Sequence, residues 1–68
     1  MLNNTPLALL TSDNAMAVRI QKAMNSALDR SDFDRYYREA DRLDGAMNAP
    51  GFDFEVFKQL ATAYGVDY

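Results

Sequence analysis

Apolar residues recur at intervals of three and four along most of this chain. That spacing lines one side of an α-helix rather than one face of a strand. Three stretches carry the pattern. In the first, about Asp13 to Asp29, Met16, Ala17, Ile20, Ala23, Met24, Ala27 and Leu28 share a side at ~100° per residue, with Arg19, Lys22, Asn25, Ser26 and Asp29 opposite. Val18 falls on that polar side, where an apolar residue has no core to enter. In the second, about Asp32 to Met47, the inward set is Phe33, Tyr36, Tyr37, Ala40, Leu43 and Met47. In the third, about Phe54 to Tyr64, it is Val56, Phe57, Leu60, Ala61 and Tyr64.

The punctuation agrees with these stretches. Thr11 or Ser12 can cap the first helix, Ser31 the second and Asp53 the third, each offering a side-chain oxygen to amides that lack a partner in the first turn. Asp32 and Asp34 stand at the start of the second helix, where the positive end of the helix dipole favours them. Gly45 is placed to end that helix early. Gly65 is placed as a left-handed cap of the third, with Val66 folding back on the last turn. Ahead of these, Thr5 as N-cap and Pro6 at the first helical position favour a helical turn over 6–10, or else an irregular arm, since nothing later offers a strand to pair with. The prediction is an all-α fold: one small domain over 1–68, a three-helix bundle with helices at about 13–29, 32–47 and 54–64. Alanine and methionine dominate the first helix and aromatics the other two. The tightest packing is therefore expected between the second and third.

Composition narrows what can hold such a bundle together. The chain has 68 residues and no cysteine, histidine or tryptophan. A domain of this size buries only ~60% of the surface its unfolded chain exposes. No disulfide can form, and both preferred ligand types for structural zinc are missing. Close packing, self-association or a partner must supply the stability. Leu2, Leu9, Val18, Tyr37, Phe52 and Tyr68 are candidates for spare apolar groups at such an interface. No run approaches the ~18 apolar residues of a membrane span. The stretch Pro6 to Leu10 is too short for a signal core. A soluble, cytoplasmic protein is expected.

Charge changes the picture further. The net charge is −3. Residues 1–28 hold Asp13 against Arg19 and Lys22, and the remainder holds nine acids against five bases. Acidity argues against direct nucleic-acid binding, which needs a basic face. It suits a basic protein surface, and acidic mimicry of nucleic acid is a variant of that idea. The interleaved arginines weaken the mimicry reading.

Most of the charge lies in Ser31 to Gly45. Arg35, Arg38 and Arg42 project within ~60° of each other, opposite the aromatic side, while Asp34, Asp41 and Asp44 run along one border. Asp34 with Arg38, Arg35 with Glu39, and Glu39 with Arg42 all have helical pairing distance, which favours a solvated face over a phosphate grip. The segment is the expected partner-binding surface, through Asp34, Arg35, Tyr37, Arg38, Asp41 and Arg42. No catalytic residue, metal site or cofactor is predicted. There is no nucleophile–base pair without His or Cys, and no glycine-rich phosphate loop. Asp32-Phe33-Asp34 fails as a calcium loop, because Tyr36 and Tyr37 occupy the positions of an acid and the required glycine. Leu60 to Val66 resembles the first helix and turn of a helix-turn-helix, but the recognition helix does not follow before Tyr68.

The expected function is that of a non-enzymatic inhibitor or adaptor occupying a surface of a larger protein or nucleoprotein complex. By size and acidity the chain is similar to the compact inhibitors that phages and mobile elements direct at host machinery, anti-CRISPR proteins among them; the similarity is one of class. The alternatives are a homo-oligomeric structural or assembly protein, a homodimer included, and a dimeric nucleic-acid-associated regulator.

Overall fold

The computed structural model describes residues 5–68; Leu2 lies outside them. The described residues form a one-turn 3-10 helix at Leu7–Leu9, then α1 at Asp13–Asp29, α2 at Phe33–Met47 and α3 at Phe54–Ala63, with no strand among them. The all-α three-helix architecture is as expected. Its internal arrangement is not.

Each α-helix begins at a side-chain cap. The Ser12 hydroxyl accepts the Ala15 amide at 3.0 Å, and the Asp53 carboxylate accepts that of Glu55 at 2.9 Å. At α2 the cap is Asp32, accepting the Arg35 amide at 3.2 Å, and not Ser31. Ser31 instead terminates α1. It holds φ 57°, its amide reaches the Leu28 carbonyl at 3.0 Å, and the Asp32 amide reaches that of Ala27 at 2.8 Å. This is the paired closure that usually recruits glycine. The same closure ends α3, with Gly65 at φ 68° and the Val66 amide on the Ala61 carbonyl at 2.8 Å. Gly65 and Val66 thus act as anticipated. Gly45 does not stop α2, which runs on to Met47. At the N-terminus Pro6 occupies the cap position of the 3-10 turn, Thr5 makes no side-chain cap there, and the turn is shorter than a helix over 6–10.

The principal correction concerns who packs on whom. α1 is the centre: it lies against α2 along one side, α3 on another, and the N-terminal turn on a third, while α2 and α3 scarcely touch. The expected tight α2–α3 contact is absent. Alanine explains the choice of centre, because Ala15, Ala17 and Ala27 let neighbouring backbones come close to α1 on more than one side.

Val18, expected on a bare polar side, is fully buried and is the largest such side chain. The side of α1 that carries it also carries Asn14 and Asn25, and both reach the α3 half of the chain. Asn14 Nδ2 donates to the Gly51 carbonyl at 3.4 Å, the Asp53 amide donates to Asn14 Oδ1 at 2.7 Å, and Asn25 Nδ2 donates to the Asp67 carbonyl at 2.8 Å. The Gly51 amide also donates to the Asp13 carboxylate at 3.0 Å, so closely that a Cβ at Gly51 would collide with it. Met16 and Leu28, expected inside, are about half exposed; Met16 lies in an open depression that it shares with Arg35, Glu39 and Arg42 of α2.

Phe57 organises the remaining core. Only 3% exposed, it meets Phe52, Phe54 and Tyr68 at ring distances of 5.8, 6.0 and 5.6 Å. Leu60, Ala61 and Val66 complete it as expected, whereas Val56 faces outward. The Tyr64 hydroxyl donates to the Thr5 carbonyl and ties α3 to the N-terminal segment.

Candidate functional site

Missing contact between α2 and α3 sets the surface of α2. The residues of α2 that turn toward α1 are Tyr36, Glu39, Ala40, Leu43 and Ala46. Compared with the expected inward set, the helix is rolled so that Phe33 and Tyr37 leave the core, while Met47, which projects between Tyr36 and Ala40, is uncovered as the last residue of the helix. They are 53%, 66% and 43% exposed. The flank they form is the one that α3 would have covered. Tyr37 rests only its edge on the Tyr36 ring, at 5.6 Å.

All six residues predicted to bind a partner are exposed, but they do not form one surface. At ~100° per residue, Asp34, Tyr37 and Asp41 lie on the outward ridge of α2, and Arg35 and Arg42 fall on the flank nearest α1. Arg38 stands between the two groups and shares a shallow depression with Arg35, Glu39 and Arg42. Asp44 joins the aromatic flank, between Phe33 and Tyr37 in angular position. The ridge and aromatic flank together present carboxylates beside uncovered rings.

Of the three ion pairs expected along α2, one forms. Arg42 Nη1 donates to both oxygens of Glu39, at 2.9 and 3.0 Å. Glu39 is 7% exposed, so its carboxylate depends on Arg42 for the partner that water would otherwise supply. Arg42 therefore has a structural duty that the pattern of charges did not disclose. Neither Asp34 with Arg38 nor Arg35 with Glu39 comes within salt-bridge distance; among the described residues the only other ion pair is Lys58 with Glu55, at 3.0 Å.

The α1 side of this flank was not foreseen. A groove of about 320 Å³ runs between α1 and α2, with Lys22 of α1 and Arg30 at its C-terminal cap facing Arg35 of α2 over a floor that includes Ala23 and Ala27. It continues past Arg19 into a second depression of about 270 Å³ that reaches Arg42. Arg19 donates to the Leu7 and Leu10 carbonyls at 3.1 and 2.6 Å, so the groove wall also anchors the N-terminal turn. One available signal was the position of Arg19, Lys22 and Arg30 on the flank of α1 that follows its Ala23–Ala27 side.

Among the described residues no three acidic side chains converge as they would to hold a metal ion. No helix there is long and apolar enough to cross a membrane. The fold and site define a small all-α protein with a charged, partly aromatic central helix hairpin. Comparison with protein-family models, with curated protein sequences and with solved structures returned no match.

Proposed function

We propose that this is a non-enzymatic protein-binding module, an inhibitor or adaptor of cytoplasmic setting that docks through α2 on a surface of a larger protein or nucleoprotein complex. The observation that carries the reading is the bare flank of α2. Phe33, Tyr37 and Met47 are large apolar groups left about half or more exposed, and α3 does not cover them. Aromatic side chains at the centre of an interface, ringed by polar groups, supply most of the energy of protein–protein binding. Here the ring is Asp34, Asp41 and Asp44, which selects a partner surface with an apolar pocket and a basic rim.

The test is quantitative capture of a stoichiometric partner by the tagged chain, compared with the double variant Phe33→Ser, Tyr37→Ser. Loss of capture with helical content unchanged supports docking through this flank. Equal capture by both refutes it. Light scattering on the unmixed protein tests the homodimer, the second reading. A mass twice 7.7 kDa that reverts in the double variant assigns the flank to self-association instead.

A further inference from the structure

The bases of this acidic protein are not scattered. Of seven, five line the α1–α2 groove and its continuation, Arg19, Lys22, Arg30, Arg35 and Arg42, and Arg38 adjoins them in a depression of α2 that it shares with Arg35 and Arg42. Only two acids, Asp32 and Glu39, line it with them. That leaves Lys58 as the one base among eight acids over the rest of the chain. Both groove acids are already engaged, Asp32 as the cap of α2 and Glu39 under Arg42. Arg19 is held by two backbone carbonyls. Lys22, Arg30, Arg35 and Arg38 have no ion pair among the described residues. Like charges crowded on two packed helices repel one another unless an anion lies between them.

We propose that the groove between α1 and α2 is a binding site for an acidic peptide segment, whose carboxylates pair with Lys22, Arg30, Arg35 and Arg38. Guanidinium groups favour carboxylate and phosphate alike, so other features must choose between them. Two do. No aromatic side chain lines the groove, so the stacking platform on which single-stranded nucleic acid depends is absent. Beyond the groove the protein is strongly acidic, which repels a long polyanion but not a short segment seated between the helices.

The floor fits the same choice. Ala23 and Ala27 are small and apolar, and Met16 and Ile20 continue the apolar surface toward the far end. From Arg19 to Arg30 the wall runs ~16 Å along α1 at ~1.5 Å per residue. An extended peptide of about five residues, at ~3.3 Å each, covers that length and places alternate side chains on rim and floor. This site uses residues of α1 that the docking reading does not, and it stands whether or not the aromatic flank binds a partner.

The experiment is a fluorescence-anisotropy titration of a labelled octapeptide of alternating Glu and Ala with the full chain at low ionic strength. Labelled octathymidylate is titrated in parallel. Saturable peptide binding is expected, weakened about tenfold by Arg35→Glu and less by Arg35→Gln. Neither variant removes the helix cap, which uses the Arg35 backbone amide. Lys58→Glu changes net charge as Arg35→Glu does, but away from the groove, and is expected to leave affinity unchanged. Circular dichroism confirms folding of each variant. No saturable peptide binding, equal weakening by Arg35→Glu and Lys58→Glu, or tighter binding of the oligonucleotide than of the peptide would overturn the proposal. The Phe33→Ser, Tyr37→Ser protein is expected to bind the peptide normally, so the fate of the docking reading is read separately.

Discussion

Asn14 does more for this fold than its residue type suggests. It is 7% exposed on the first turn of α1, and its amide both donates to Gly51 and accepts from Asp53 across the α2–α3 connection. A buried polar group that loses its partner costs the full desolvation of what remains. Asn14→Ala leaves the Asp53 amide and the Gly51 carbonyl without this partner, and should lower stability by about 2 kcal/mol in urea unfolding. Asn14→Asp keeps the acceptor and loses the donor, and should fall between the two. Val18 shows why such residues were hard to read in advance. A helical wheel sorts residues on the assumption that one side is buried. Val18 lies within ~40° of Asn14 and Asn25 in projection, so polar neighbours assigned it to solvent. Those neighbours are in fact the polar contacts to a second covering element. The caps needed no such assumption, and Ser12, Asp53 and Gly65 were legible because they act within a few residues of sequence.

At the scale of elements, hydrophobic periodicity located every helix to within a residue or so. It did not say which partner each side would meet. The aromatic-rich helices were expected to pack on each other. Instead the alanine-rich helix became the centre, since small side chains permit close approach on several sides at once. The consequence differs for two phenylalanines that periodicity placed inside: Phe57 is buried as expected, and Phe33 is exposed. Phe57→Ala removes the ring around which the α3 core is built and should cost ~3–5 kcal/mol. For 68 residues that approaches the whole stability, at ~0.05–0.15 kcal/mol per residue. Phe33→Ala, on the bare flank of α2, should lower the free energy of unfolding by no more than ~0.5 kcal/mol. Parallel thermal or urea melts of the two variants check the pair. Comparable losses would mean that α2 is not rolled as described. The docking residues were legible in part for the same reason. Their exposure followed from charge, but their division between a ridge and a groove depended on the roll of α2, which only the packing of α1 determines.

Taken over all the described residues, five of the eleven buried hydrophobic side chains are alanines, so the core is thin for its length. What joins α3 to the rest is correspondingly polar as well as apolar: Asp13 and Asn14 at one end, Asn25 on Asp67 and Tyr64 on Thr5 elsewhere. All of these connect residues far apart in sequence, whereas α1 and α2 are neighbours joined by a tight turn. Contacts close in sequence form at lower entropic cost. Native-state hydrogen exchange should therefore show the amides of α3 opening at a lower free energy than those of the α1–α2 hairpin, as a separate cooperative unit. Uniform exchange across the three helices would contradict this. The bare aromatic flank and the basic groove both belong to the hairpin. A molecule whose third helix has transiently detached would thus keep its recognition surfaces in register, and substitutions in α3 could erode lifetime in the cell while leaving what the protein recognises unaltered.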